Sequence, residues 1–147
     1  MEIERRFLAD TSDLDLSAYE KFDIVQSYIE TEGLVTRIRI VGTSAFLTMK
    51  GPKKDGACDE FEYPIPFEDA VKLSEKYCSR VIKKTRYLIP NGPHTIELDV
   101  FHGHLEGLVI AEIELDDISE VVSIPKWFGS EITNDNTFSN YALSVKK

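Results

Sequence analysis

The sequence predicts a mainly β, α+β fold: an eight-stranded antiparallel closed barrel with a few covering helices, in a single domain spanning residues 1–147. Three observations predict it. Charged residues recur two apart in one segment after another, the period of a strand whose successive side chains point to opposite faces. Short turns built from glycine, proline and asparagine separate these segments. In the central segments the residues between the charges are strongly apolar, so that face needs a cover, and eight antiparallel strands are about the number that closes into a barrel just filled by side chains.

The elements follow in order along the chain. EIERRFL (2–8) alternates Glu2, Glu4 and Arg6 with Ile3, Arg5 and Phe7. FDIVQSYIE (22–30) is the second strand and carries no charge pair, offering Gln26, Tyr28 and Glu30 on one face. After Glu32-Gly33 comes LVTRIRIV (34–41), and after Gly42-Thr43-Ser44 comes AFLTMK (45–50), which together read as a meander. DEFEYPI (59–65) ends among Pro64 and Pro66, and FEDAVKLSEKY (67–77) places Phe67, Ala70, Val71 and Leu73 at helical spacing behind an acidic first turn. RVIKKTRYLI (80–89), a turn at Pro90-Asn91-Gly92-Pro93, HTIELDVF (94–101), a turn around Gly103 and LVIAEIEL (108–115) complete the eight strands. Asp117 with Glu120 resembles a capping box and predicts a short helix toward Ile124 stopped by Pro125, and a last helix is expected over Thr137 to Val145.

Charge narrows the partners. A net charge of −9 repels phosphate backbones and anionic membrane surfaces at long range, so neither nucleic acid nor a membrane is expected as a partner. No apolar run of 18 residues and no apolar N-terminal region is present, which leads to the expectation of a cytoplasmic protein. Cys58 and Cys78 share no short motif and read as reduced structural thiols.

An inward charged face would enclose eight acids (Glu2, Glu4, Glu60, Glu62, Glu97, Asp99, Glu112, Glu114) and six bases (Arg6, Arg37, Arg39, Lys50, Lys84, Arg86). Taken singly, each pair reads as an ordinary solvated strand face. Enclosed together, such charges are costly unless paired or bound to ions. Carboxylate oxygens suit hard divalent cations such as Mg²⁺ or Mn²⁺, while Arg and Lys suit phosphate oxygens. His102 and His104 flank Gly103 and are expected on a surface turn, and Trp127 and Phe128 are expected to pack at the barrel end or at a dimer contact.

EIERRF resembles the ExExK signature of the CYTH domain, the triphosphate tunnel metalloenzymes, which include class IV adenylate cyclases, thiamine triphosphatases and small bacterial tripolyphosphatases. TRIRI, LTMKG, EFEY, KKTRYLI, IELDVF, LVIAEIEL and FSNYAL resemble the family's successive blocks in order. The resemblance implies a tunnel that binds a linear triphosphate or polyphosphate with one or two Mg²⁺ or Mn²⁺ ions and hydrolyses tripolyphosphate to pyrophosphate and phosphate. Carried over position by position, Glu2, Glu4 and Glu114 are the implied principal metal ligands, with Asp99 and Glu112 supporting the metal and Glu62 and Glu112 the attacking water. Arg6, Arg37, Arg39, Lys50, Lys84 and Arg86 form the implied phosphate-binding set, and Glu4, Arg6, Glu62 and Glu112 the implied catalytic set.

Two positions depart from the family pattern. Arg6 stands where the signature has lysine, and Cys58 stands where a basic residue is frequent. Arginine stays protonated, so Arg6 is expected to stabilise phosphoryl charge, leaving proton acceptance to a carboxylate or to metal-activated water. An adenylate cyclase or a nucleoside or thiamine triphosphatase of the same fold is the alternative, with an adenine resting near Tyr28 or Phe101, and a binding module without chemistry is the alternative of another class. A homodimer is compatible with the resemblance. FSNYAL with Asn140 is expected in a helix lying against the barrel.

Overall fold

The computed structural model describes residues 2–78 and 80–144. Ten strands run in chain order: β1 (Glu2–Ala9), β2 (Glu20–Ile29), β3 (Val35–Val41), β4 (Ser44–Lys50), β5 (Ala57–Cys58), β6 (Glu60–Pro64), β7 (Arg80–Asn91), β8 (His94–Phe101), β9 (Val109–Glu114) and β10 (Phe128–Glu131). Two α-helices join them, α1 (Phe67–Tyr77) and α2 (Asn140–Leu143), together with three single turns of 3₁₀ helix. All strand pairs are antiparallel, in the order β10-β1-β9-β8-β7-β2-β3-β4-β6.

The eight expected strands form, and β5 and β10 are added to them. β5 is only two residues long but closes the ring. It pairs Glu2 with Cys58 and Ile3 with Ala57 on the free edge of β1, then continues through Asp59 into β6. Farther along β1, β10 occupies that edge instead, so the barrel is nearly closed rather than sealed along its length. Gly56 makes the seam possible. It sits at φ +81° with its carbonyl accepting from the Glu4 amide at 3.0 Å, and a Cβ there would meet the Glu4 carbonyl oxygen at 2.6 Å.

Register decides what the barrel encloses. Glu4 lies opposite Glu114, Arg6 opposite Glu112, Glu97 opposite Glu112, Arg86 opposite Asp99, Tyr28 opposite Arg37, and Thr48 opposite both Arg37 and Glu62. Opposed residues share a face, so the charged faces of all these strands coincide. The other face is apolar and covered from outside in two ways. α1 lays Ala70 on Ile38 and Ala45, its acidic first turn and Lys76 matching the helix dipole. Over β7, β8 and β9 the cover is extended chain: Val122 and Trp127 pack on Ile89, Ile96, Leu98, Ala111 and Ile113.

Two helix expectations need correction. No helix forms over Asp117 to Ile124. The Asp117 carboxylate accepts from the Ser119 amide and hydroxyl in a local turn, and Glu120 accepts from the Asp116 amide and pairs with His94, leaving the following chain extended over the apolar face. The expected Thr137–Val145 helix is broken: Asn136–Phe138 is a 3₁₀ turn, Ser139 caps the next turn by accepting from the Ala142 amide, and α2 covers four residues. Val145 lies outside the described residues. α2 also does not lie on the outside. Leu143 packs with Ile82, Phe101 and Ile110, which share the face of Lys84, Asp99 and Glu112, so the C-terminal segment plugs part of the lumen.

Candidate functional site

The coincident charged faces line a cavity of about 500 Å³. Its wall includes Glu2, Glu4, Arg6, Arg37, Arg39, Lys50, Glu62, Arg86, Glu112 and Glu114 from the strands and Asn140 and Tyr141 from α2. Sequence spacing thus brings ten of the twelve expected site residues to one space. Lys84 and Asp99 are the exceptions. Both are 1% exposed and bonded to each other at 2.7 Å, and Lys84 also reaches the Asn140 side-chain oxygen at 3.2 Å. Docking of α2 seals them beneath the cavity wall. Burial brings the Lys84 ammonium down to about 7 despite the Asp99 carboxylate.

Arg86 is the most heavily bonded charge in the cavity. Its guanidinium donates to both Asp99 oxygens at 2.8 and 2.9 Å, to Glu97 at 3.1 Å and to Glu112 at 3.0 Å. Arg6 donates to the other Glu112 oxygen at 2.9 Å. The Glu112 carboxyl is therefore held far below the ordinary range, with Arg6 and Arg86 overriding the desolvation that would raise it. With both oxygens of Asp99 and of Glu112 taken by cations, these two act in this geometry as ion-pair anchors rather than open metal ligands.

The rest of the wall is short of partners. Glu4 faces Glu114 across the β1–β9 ladder, two like charges directly opposed. Lys53 donates to Glu4 at 2.9 Å, yet burial and the neighbouring Glu112 and Glu2 raise the Glu4 carboxyl to about 7. Burial, Glu2 and Glu60 raise Glu114 as well. Lys50 bridges Glu2 at 2.8 Å and Glu60 at 3.3 Å. Among the described residues, no three acidic, histidine or cysteine side chains stand close enough together to hold an ion as they are placed.

Across β3 the shortage is of anions. Arg37 donates from Nη2 to Thr48 at 3.1 Å and lies 3.7 Å from Glu62, but its Nε is buried with no partner among the described residues. Among the described residues Arg39 donates only to the Gln26 side-chain oxygen, at 3.2 Å, and burial together with Arg37 and Arg86 lowers it to about 10. One cavity thus carries excess negative charge along β1 and β9 and under-satisfied positive charge along β3.

A CYTH domain model matches residues 1–142. The chain belongs to the CYTH family. It is 37% identical over 144 residues to an inorganic triphosphatase of Acetivibrio thermocellus, covering 97% of this chain and 92% of that protein. It is 36% identical over 156 residues to an inorganic triphosphatase of Nitrosomonas europaea, covering 98% and 97%. A crystal structure of an inorganic triphosphatase superposes with a TM-score of 0.71 at 31% identity, over 100% of this chain and 96% of that one. A Hippeastrum protein described as having a dominant triphosphatase activity shares the fold at a TM-score of 0.67 and 16% identity, covering 80% of each chain.

Sequence reading missed Lys53, which lies in the non-periodic GPKK loop and whose only signal is a basic pair following a charged strand. It left open the contact of Asn140, which reaches Lys84. It placed Phe101 as a resting place for a base, but Phe101 is 1% exposed in the apolar plug with Lys84 over its ring at 5.6 Å. Cys58 lines the cavity beside Glu2, where burial raises its thiol, and no described residue makes a disulfide with it.

Proposed function

We propose that this chain is a metal-dependent triphosphatase that hydrolyses a linear inorganic triphosphate to pyrophosphate and phosphate within the tunnel. The observation that carries it is the two-signed cavity, with a surplus of carboxylates facing an arginine whose buried Nε has no partner. A metal–polyphosphate complex satisfies both deficits at once. The sequence relatives are named for that activity, which agrees with this reading.

In residue type the donor set suits a hard divalent cation, which would draw together carboxylates that do not converge on one point as they stand. Glu2, Glu4 and Glu114 supply carboxylate oxygens, and the Glu4–Glu114 opposition and the raised Glu4 are the repulsion that a cation removes. Held there, Mg²⁺ or Mn²⁺ would neutralise phosphate oxygens and polarise the scissile bond. The chain's own residues do the rest. Arg37, Arg39 and Lys50 hold non-bridging oxygens and keep the substrate in line, and Arg86, fixed by three carboxylates, adds a rigid donor beside them. Arg6, oriented by Glu112, stabilises charge on the transferring phosphoryl group. Water attacks the terminal phosphorus, the bridging P–O bond breaks, and the water proton passes to a carboxylate of the acidic wall, because Arg6 does not deprotonate.

The test is phosphate release from tripolyphosphate, ATP and thiamine triphosphate with Mg²⁺ or Mn²⁺, in wild type, Glu4→Gln and Arg6→Lys. Release from tripolyphosphate is expected to fall at least ~100-fold in Glu4→Gln. Arg6→Lys is expected to keep substrate affinity and change kcat. Tripolyphosphate that raises the melting temperature with no release by any variant would replace the hydrolase reading with a binding module, which the arginine at position 6 favours over the signature lysine.

A further inference from the structure

Tyr28 and Tyr141 are the aromatic side chains in the cavity wall. A nucleoside triphosphate would need somewhere to put its base, and base stacking requires an open π face. Neither ring stands free of partners. Tyr28 is 2% exposed and its hydroxyl accepts from the Gln26 amide at 3.0 Å. Tyr141 meets Tyr28 edge to face at 5.5 Å and 85°. The Arg80 guanidinium covers the Tyr141 ring at 4.3 Å from its centre. Arg80 is itself fixed by Glu30 at 2.8 Å, and the Tyr141 hydroxyl donates to the other Glu30 oxygen at 2.9 Å. The three side chains come from the residue just after β2, the start of β7 and α2, so they tie the C-terminal segment to the rim of the barrel.

We propose that the Glu30–Arg80–Tyr141 cluster is a selectivity element that excludes nucleosides and leaves the tunnel to unsubstituted phosphate chains. The inference rests on the triphosphatase reading and adds the group that discriminates among triphosphates. Its logic is occupancy: the Arg80 guanidinium takes one face of Tyr141, and Tyr141 in turn is locked edge to face against the buried Tyr28. Removing the Tyr141 ring uncovers both the guanidinium plane of Arg80 and the ring of Tyr28, which creates a stacking slot beside the phosphate-binding arginines. None of the three residues needs to touch the reacting phosphorus for this effect.

The experiment measures kcat/KM for tripolyphosphate and for ATP in wild type, Tyr141→Ala, Tyr141→Phe and Arg80→Ala, with melting-temperature shifts produced by each ligand as a readout independent of turnover. Tyr141→Ala is expected to raise the ratio of ATP to tripolyphosphate efficiency about 10-fold or more, in line with one added stacking contact. Tyr141→Phe keeps the ring and is expected to restore the wild-type ratio. Arg80→Ala exposes the Tyr141 face and is expected to raise the ratio by a smaller factor. An unchanged ratio in both alanine variants, with tripolyphosphate still processed, overturns the proposal. If no variant releases phosphate from tripolyphosphate, the hydrolase reading fails instead, and the relative melting shifts by ATP and tripolyphosphate still decide whether the cluster selects.

Discussion

Arg86 and Arg37 line the same cavity, yet their surroundings are opposite. Arg86 gives four hydrogen bonds to three carboxylates, whereas Arg37 gives one to a threonine and leaves its buried Nε with none. The difference separates two kinds of enclosed charge. Where cations and anions are matched, as in the Arg6–Glu112–Arg86–Asp99–Lys84 chain, the network carries the fold. Where the match is incomplete, as at Arg37, Arg39, Glu4 and Glu114, like charges stay crowded, a deficit that a ligand of the right charges would relieve.

The strongest way to break this comparison is to remove an anion from the matched network. Asp99→Ala strands Lys84 and Arg86 as buried cations and is expected to cost about 3–5 kcal/mol of stability, read by thermal or urea unfolding. A loss no larger than that of an exposed ion pair would mean the network does not carry the fold. Arg37→Met tests the unmatched wall. Turnover of tripolyphosphate should fall ~100-fold or more while the ligand-free melting temperature holds or rises, because the deleted charge has no full set of partners to lose. A melting temperature that drops as in Asp99→Ala would erase the distinction.

A smaller effect sharpens it through pH. Glu4 titrates near 7 in the folded chain and near 4.5 when unfolded, so between those values the folded state holds the extra proton. Stability in metal-free buffer should therefore fall as pH rises from about 4.5 to about 7, by on the order of 3 kcal/mol from this group, and level off above. Glu4→Gln should lose that part of the decline, and a wild-type and variant difference that stays flat over this range would show that Glu4 is not strained.

Alternation made most of this legible in the sequence. The eight long strands and the inward face of Glu2, Glu4, Arg6, Arg37, Arg39, Arg86, Glu112 and Glu114 follow from period-two spacing, and α1 from its acidic start and apolar stripe. β5 and β10 left no trace because two residues of Ala-Cys, and a Gly-containing FGSE, carry no period. Asp117 and Glu120 carried a helix-start pattern, but their carboxylates serve a local turn and His94. The sealing of Lys84 and Asp99 was out of reach for a different reason. Alternation assigns a side chain to a face, while access to the lumen depends on a segment more than 40 residues away docking against that face.

The seam at β5 joins closure to chemistry. Two ladder pairs and the Glu4–Gly56 bond fasten the start of β1, and that same stretch of backbone presents Glu2 and Glu4 to the lumen. Fraying of this seam, held by so few ladder pairs, would release the acidic wall with it. Amide exchange at Glu4, whose N–H donates across the seam to Gly56, therefore reports the state of that closure, and a cation gripping those carboxylates would act as the clasp that keeps the ring from unzipping.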